Sequence, residues 1–398
     1  MDSNTDRAIL KRIRVLDFTW MLAGPYTTRV LADFGAEVIK IQSKKTAQGV
    51  EQNNTGYFNT WNRNKRSVTL NLSHPEARDI AMKLAAISDV LVESFSPRVM
   101  TNWGLTYDRL REVKPDLIMA SISAMGQTGP WKDFVGFGPT FHALSGLTSA
   151  MSYGLDAPIC LGHAYGDTIV GLYGVLAILA ALEHRDMTGE GQYIDLSAYE
   201  AVCTLLGPAF MDAAMEPEKN ARRQRCDEYN LAAPYGCYRC LGDDRWCVIA
   251  VYDEEEWQAF CRVAEQPELR DDRFSSLAKR MENQAELDEL IGRWTINHTA
   301  ERIVHRLQKA GIAAGVLQNA EDLARDDQLA ARHFFIPLKH PILGTTCSDR
   351  SPLMFGSQKA KGWKAAPLLG EGTHYILAEL LGLPEAEIRS YIKKGIIG

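Results

Sequence analysis

The chain has 398 residues, 46% of them hydrophobic and 24% charged, which is typical of a soluble globular protein with two domains or one large domain carrying an insertion. The formal net charge of −6 argues against a nucleic-acid-binding protein, which would need a basic surface. The first ten residues include acids and lack a long apolar run, so no signal peptide is expected. Eight cysteines in such a chain predict free thiols in a reducing cytoplasm.

The amino-terminal third alternates short apolar strands with amphipathic helices. Two predicted strands, at 13–18 and 36–41, flank a predicted helix at 26–35, the pattern of a βαβ unit with parallel strands. Residues 43–60 are polar and are predicted as a loop. The alternation continues with strands at 62–72, 89–92 and 117–121 and helices at 75–87 and 107–114. We therefore expect an open, mostly parallel α/β sheet that binds ligands beyond the carboxyl ends of its strands.

A single aspartate, Asp167, precedes an almost unbroken apolar run at 169–182. This run is shorter than the roughly 20 residues that span a bilayer, so it predicts a buried core helix with Asp167 at its N-cap. The residue can be a structural cap. It can also be a nucleophile, because a helix start favours an ionised carboxylate and Gly162 and Gly166 leave room for a substrate. The residues alone leave both roles open.

The remaining chain predicts a division into domains. A predicted strand at 193–197 and a predicted helix at 198–206 complete a large α/β domain over 1–214. The charged stretch 215–230 is predicted to be a linker. A small α+β domain is predicted over 231–320, with a hairpin at 235–240 and 246–251 and helices at 254–264, 284–294 and 300–310. Residues 321–398 are expected to return to the large domain, with a helix at 373–381. Cys237 and Cys240 lack a second ligand pair, so we assign them to the hairpin and predict no metal site.

The sequence contains no nucleophile elbow, phosphate-binding P-loop or zinc-protease helix. It does resemble the class III CoA-transferases, the family of formyl-CoA:oxalate and carnitine CoA-transferases, which also includes the succinyl-CoA:benzylsuccinate type as a candidate match. The resemblance covers six stretches in order: VLDFTWMLAGPYTTRVLADFGAEVIKIQ (15–42), NRNKRSVTLNL (62–72), DVLVESFSPRVMTNWGL (89–105), GQTGPW (126–131), GDTIVGLYGVLAILAALEHRDMTGEGQYIDLSAYEA (166–201) and APLLGEGTH (366–374).

The resemblance implies a covalent mechanism on Asp167, with a CoA thioester as co-substrate and no permanently bound cofactor. It implies a Rossmann-like large domain and an interlocked dimer, with succinyl-CoA a common donor. The basic residues that such proteins often carry after the second and third strands are Ser43 and Ser73 here, so the phosphate-binding residues are chosen from nearby cations. The CoA contacts that the resemblance implies are Met21, Leu22, Ala23, Leu70 and Phe95, and the nearby cations chosen for the phosphates are Lys44, Arg66 and Arg98.

Two other functions remain open. An α-methylacyl-CoA racemase of the same superfamily would show the pattern G-H-D-x-x-Y-x-x-x-S-G, which aligns with 136–146 but places Phe137 where the proton-carrying histidine should be. The chain can also be one subunit of a heteromeric CoA-transferase. Aromatic residues near the expected pocket would suit a bulky or aromatic acceptor acid, or they can simply pack: Trp20, Phe137, Phe141 and Tyr165.

Overall fold

The computed structural model describes residues 8–151, 159–215, 231–355 and 362–398. Residues 8–215 and 333–398 belong to one compact unit, and residues 231–332 belong to a second. The first unit contains a six-stranded, fully parallel sheet in the order β3-β2-β1-β4-β5-β6. Its strands are β1 (Arg14–Asp17), β2 (Glu37–Gln42), β3 (Arg66–Thr69), β4 (Val90–Glu93), β5 (Ile118–Ser123) and β6 (Tyr193–Ser197).

Helices connect these strands and cover both faces of the sheet. Short 3-10 turns also occur at Gly49–Glu51 and Thr204–Leu206. The helices are α1 (Ala23–Asp33), α2 (Gly56–Asn62), α3 (Pro75–Ala86), α4 (Arg98–Trp103), α5 (Tyr107–Val113), α6 (Gly138–Leu144), α7 (Leu147–Ala150), α8 (Tyr165–Thr188), α9 (Ala198–Cys203) and α10 (Gly207–Met215).

The strand sequences explain why both faces are covered. Successive residues of a strand point to opposite faces, and in β1 Val15 and Leu16 are both fully buried, in different hydrophobic clusters. Leu16 packs in the cluster that includes α3 and the carboxyl-terminal helices, whereas Val15 packs with α1 and α8. A sheet buried on both sides explains the continuous apolar character of these strands.

The topology places the carboxyl ends of all six strands at one edge. The strand order reverses between β1 and β4, and ligands of such sheets bind beyond the strand ends at this switch point. Helix α8 leads into β6, which runs parallel to β5, so α8 runs antiparallel to the strands and begins at the carboxyl edge. The start of α8 therefore lies on the ligand-binding side of the sheet.

Helix α8 is longer than its apolar run suggests and only one of its faces is buried. Val170 and Ile178 are fully buried, whereas Leu172, Leu176 and Leu179 are 45%, 64% and 40% exposed. The prediction of a buried core helix therefore holds for one side only. By length and composition α8 is the one helix among the described residues that could cross a membrane, with 39% of the apolar window buried within the protein.

The second unit has its own core. Strands β7 (Tyr235–Arg239), β8 (Trp246–Ala250) and β9 (Ala313–Val316) form an antiparallel sheet, and Trp257, Phe260 and Trp294 dominate the hydrophobic cluster. The helices are α11 (Glu254–Ala264), α12 (Leu277–Glu282), α13 (Gln284–Thr295), α14 (Ala300–Lys309), α15 (Ala320–Ala324) and α16 (Asp327–Ala331), with 3-10 turns at Pro267–Arg270 and Asp272–Phe274.

The final segment belongs to the first unit. It contains the antiparallel pair β10 (Phe335–His340) and β11 (Gly344–Asp349), a π-helical segment Tyr375–Leu380 and helix α17 (Glu385–Lys393). The second unit includes α15 and α16, which the sequence analysis assigned to the return segment. The predicted linker 215–230 lies outside the described residues except for Met215, which ends α10.

The predicted hairpin cysteines lie in and beside β7. Cys237 is exposed within the strand and Cys240 follows it in a buried position. Across the parts of the chain that the structure describes, no group of three or more histidine, cysteine, aspartate or glutamate side chains is arranged to hold a metal ion.

Candidate active site

Asp167 is the third residue of α8, and the predicted N-cap assignment is wrong by three residues. The N-cap is Ala164, whose side chain offers no hydrogen-bond acceptor. The backbone N–H of Gly166 instead donates to Nε2 of His142, a buried residue of α6, over 2.9 Å. Because another helix supplies this acceptor, the Asp167 carboxylate is not needed as the cap and lies in the first helical turn.

Burial raises the pKa of Asp167 to about 6, against the opposing effect of a hydrogen bond that the carboxylate accepts from the backbone N–H of the same residue. The side chain is only half-buried, so a substrate can still reach it. A carboxylate with a raised pKa is a better nucleophile when ionised, and near neutral pH most of this group is ionised. Asp167 therefore combines accessibility with a basicity suited to attack on a carbonyl carbon.

A glycine at the start of α6 makes room for this carboxylate. A Cβ atom built on Gly138 would lie 2.5 Å from Oδ2 of Asp167 and 3.3 Å from Cβ of Ala164. Contacts this short are not tolerated, so any side chain at position 138 would displace the carboxylate. The sequence analysis did not identify this contact between Gly138 and Asp167, for which the sequence G-F-G-P at 136–139 was the available signal.

Aromatic side chains stand beside this carboxylate. The rings of Trp20 and Phe137 meet edge to face with centroids 6.5 Å apart, and Phe137 directly precedes Gly138. Trp20, Phe137 and Tyr165 are each about two-fifths to one-half exposed. Phe141 is 4% exposed and packs in the core, which agrees with the packing alternative for this residue.

The loop after β1 is held by buried charges. Asp17 ends β1 and accepts hydrogen bonds from Thr19, Thr28 and the ammonium of Lys65. Burial alone would raise the pKa of Asp17, but Lys40, Lys65 and these hydrogen bonds lower it to about 2. The Lys40 ammonium also donates to the carbonyl of Thr19 over 2.8 Å. The segment that the sequence analysis assigned to CoA binding thus leaves the sheet in a fixed direction.

Met21 lies at the turn of this loop in the left-handed region, with φ of 62°. Its backbone N–H donates to Oε1 of the buried Glu51 over 3.2 Å. A non-glycine residue pays a conformational cost in this region, so the bond to Glu51 stabilises a strained turn. Of the three predicted contacts, Leu22 is buried, whereas Met21 and Ala23 are partly exposed.

Helix packing brings this loop next to Asp167. One turn after Asp167, Gly171 approaches the start of α1 so closely that a Cβ there would lie 3.0 Å from the carbonyl oxygen of Ala23. The Thr27 hydroxyl donates to the Gly171 carbonyl over 3.0 Å. Burial, together with the negative charges of Glu51 and Asp167, raises the pKa of the phenol of Tyr57 in α2 to about 12.

The other predicted CoA contacts divide between two places. Lys44 and Arg98 are exposed after β2 and β4, and Phe95 packs edge-on against Trp103 after β4, so all three lie at the carboxyl edge with Asp167. Leu70 also follows a strand, but it is 2% exposed and packs in the core. At this edge the loop after β1 contacts the loop after β4, because the backbone N–H of Trp20 donates to the Ser94 hydroxyl over 3.1 Å.

Arg66 is not brought together with these residues. It begins β3, at the amino edge of the sheet, where its guanidinium lies 3.4 Å from Glu37 and 4.1 Å from the ring centre of Tyr375. Arg66 and Glu37 line a cavity of about 1100 Å³ at this opposite edge, and Asp167 is not among the lining residues. This cavity is therefore separate from the carboxyl-edge site.

Comparison with known proteins identifies the family. The model of CoA-transferase family III matches residues 10–373. The chain is 31% identical over 410 residues to a succinyl-CoA–D-citramalate CoA-transferase of Chloroflexus aurantiacus, covering the full length of both. It is 32% identical over 399 residues to a probable CoA-transferase of Mycobacterium tuberculosis, of which it spans half the length.

Solved structures agree with the fold. The crystal structure of a CAIB/BAIF family protein from Brucella suis superimposes with a TM-score of 0.86 at 27% identity, covering 94% of this chain and 99% of that one. The predicted α/β class, with a parallel sheet and a smaller α+β unit, is confirmed. The resemblance found in the sequence is also confirmed, and the chain belongs to CoA-transferase family III, a family of enzymes.

Proposed function

We propose that this protein transfers coenzyme A from an acyl-CoA donor to a carboxylic acid, through covalent intermediates on Asp167. The observation that carries the proposal is the position of this half-buried carboxylate, with its raised pKa, at the carboxyl edge beside the loop around Met21. In this proposal the CoA thioester is a co-substrate, and Lys44 and Arg98 are the candidate partners of its phosphates.

The reaction exchanges one thioester for another, so it needs no external energy source. The Asp167 carboxylate attacks the thioester carbonyl carbon, and a mixed anhydride forms as the CoA thiolate leaves. The thiolate then attacks the aspartyl carbonyl carbon, which yields an aspartyl-CoA thioester and the free donor acid. The acceptor carboxylate attacks this thioester, and the returning thiolate removes the acceptor acyl group as the new acyl-CoA, which regenerates Asp167.

The surroundings of Asp167 suit these steps. Each attack creates an oxyanion, and one oriented hydrogen-bond donor for it is typically worth about 3 kcal/mol. Tyr57 is a candidate donor, because burial and the charges of Glu51 and Asp167 raise the pKa of its phenol to about 12, which keeps the phenol protonated near neutral pH. The tight contact with Gly138 limits movement of the carboxylate, so attack starts from a restricted geometry.

The decisive comparison uses two aspartates of the same helix. Asp167→Ala should abolish transfer from succinyl-CoA to any accepted acid while the protein remains folded. Asp186→Ala, at the exposed far end of α8, is the matched control and should retain full activity. Near-normal turnover by the Asp167→Ala variant would refute the proposed nucleophile.

Racemisation is disfavoured by the same geometry. A racemase needs a group that removes the α-proton, and Phe137 beside the Asp167 pocket carries none. The Nε2 atom of His142 already accepts the Gly166 N–H, so it is not free to act as a base. Incubation of a single acyl-CoA enantiomer in deuterated water tests this alternative, since only a racemase would exchange the α-hydrogen.

We also propose that the protein works as an oligomer in the cytoplasm. Helix α8 exposes several leucines, and α10, which has no buried residue, exposes Phe210 and Met211 by 51% and 62%. Exposed apolar surface of this kind marks association sites, and an interlocked homodimer or a pairing with a related subunit would cover it. Sedimentation of the purified chain, together with its activity when expressed alone, distinguishes the two; a monomer that is fully active would contradict both.

The exposed rings of Trp20, Phe137 and Tyr165 favour a bulky or aromatic acceptor acid. A screen of carboxylic acids with succinyl-CoA as donor, read by mass spectrometry, would identify both partners. A clear preference for short aliphatic acids would contradict the assignment of these rings to the acceptor site.

A further inference from the structure

We infer that His142 is a positioning residue that caps helix α8 from a second helix and thereby holds Asp167 in place for attack. The inference rests on the proposed role of Asp167, but its test separates the two. The first backbone N–H groups of a helix need acceptors from outside the helix. Ala164 at the N-cap cannot supply one, and the Gly166 N–H finds it at Nε2 of His142 over 2.9 Å.

The contact between the imidazole and the helix start is tight and buried. His142 is 3% exposed, and a Cβ built on Gly166 would lie 2.8 Å from Nε2 of His142 and 2.8 Å from a methyl carbon of Val202. The backbone at Gly166 is thus confined between α6 and α9. Since Asp167 is the next residue, its Cα can move little unless this bond breaks.

Helix α6 restrains the Asp167 turn at two points. Gly138 and His142 are four residues apart, so they lie on the same face of α6. The first contacts the carboxylate itself and the second holds the backbone before it. Removing the acceptor at His142 would leave only the first restraint, and the first turn of α8 would fray.

The protonation state of His142 agrees with this role. An Nε2 that accepts a hydrogen bond carries no proton, so the proton of the neutral imidazole is on Nδ1. Burial lowers the pKa of His142, which keeps the ring neutral and the acceptor available. His142 does not contact the reacting atoms in this arrangement, because its free electron pair is already used by the backbone of Gly166.

Two substitutions separate the acceptor from the shape of the side chain. His142→Gln keeps an acceptor near the position of Nε2, whereas His142→Phe keeps a ring of similar size and removes the acceptor. The Phe variant should lose about tenfold in kcat, the change that corresponds to the loss of a helix cap, with KM for the acyl-CoA nearly unchanged. The Gln variant should retain most of kcat.

A second measurement covers the case in which the Phe variant folds poorly. Hydrogen exchange of the peptide that contains Gly166 should be faster in His142→Leu than in the wild type and should be restored in His142→Gln. Equal kcat in folded His142→Phe and wild type, equal losses in Phe and Gln variants, or unchanged exchange would each overturn the positioning role. If instead Asp167→Ala remains active, the proposed nucleophile fails, whatever the His142 variants show.

Discussion

Replacing Asp167 by asparagine should stabilise the protein although it abolishes transfer. Burial raises the pKa of this carboxyl from its ordinary 3.8 to about 6, so the ionised side chain costs free energy in the folded state relative to the unfolded chain. Asparagine has nearly the same size and carries no charge. The cost of holding an ionised nucleophile in a half-buried site should therefore disappear.

The two pKa values set the size of this effect and its pH dependence. A difference of about two pKa units is worth up to ~3 kcal/mol, and the partial exposure of the side chain reduces the expected gain to roughly 1–2 kcal/mol. Because the folded-state pKa of Asp167 lies above the unfolded value, the contribution of this carboxyl to the free energy of unfolding is most favourable below about pH 4. The wild type loses this contribution as the pH rises through about 6. The asparagine variant should therefore equal the wild type near pH 4 and exceed it near pH 8.

Urea unfolding of both proteins at these two pH values, with protein concentration held constant, measures the difference. Asp186→Asn, at the exposed far end of the same helix, is the control and should change stability at neither pH. An Asp167→Asn variant that is no more stable than the wild type at the higher pH would show that the carboxylate is well solvated. The argument from its raised pKa would then fail.

Three further substitutions, with Arg66→Ala as a control for the third, test the candidate site and the contacts that support it. Gly138→Ala should lower kcat by on the order of a hundredfold because its methyl group displaces the Asp167 carboxylate, with the fold retained by circular dichroism; unchanged kcat would contradict the contact. Lys65→Met should lower the free energy of unfolding by about 3 kcal/mol, because it removes one partner of a buried ion pair; calorimetry that shows no loss would refute this. Arg98→Ala should raise KM for the acyl-CoA, whereas Arg66→Ala should not, since Arg66 lies at the opposite edge of the sheet. A raised KM in Arg66→Ala but not in Arg98→Ala, measured by steady-state kinetics, would instead indicate a phosphate-binding site at the amino edge of the sheet.

Periodicity predicted the sheet well because its strands are buried on both faces and their apolar runs are unambiguous. It missed helix α2, which the polar stretch 43–60 concealed. The seven residues GYFNTWN show no helical apolar repeat, and the helix is capped by Thr55, whose hydroxyl accepts the Phe58 N–H. A threonine followed by a short aromatic segment was the available signal. Missing this helix also meant missing Tyr57.

The sequence was enough to propose Asp167 as the nucleophile, but it did not predict the position of this residue in the helix. A helix start is normally capped by a nearby side chain, and here the acceptor comes from His142, 24 residues earlier in the chain. Spacing along one segment does not show a partner of this kind. Similarly, a basic cluster at 63–66 does not show at which end of its strand each cation lies, so Arg66 was grouped with residues at the opposite edge.

The central claim is that Asp167 exchanges one carboxylate oxygen in every turnover, because one of its oxygens bonds to the donor acyl carbon and leaves with the donor acid. In the proposed sequence the departing donor acid takes one oxygen from Asp167, and the acceptor acid replaces it. Turnover with an acceptor labelled with ¹⁸O in its carboxylate, followed by digestion and mass spectrometry, should therefore find ¹⁸O in the peptide that carries Asp167. The peptide that carries Asp186 should stay unlabelled. Product formation without label at Asp167 would contradict the account.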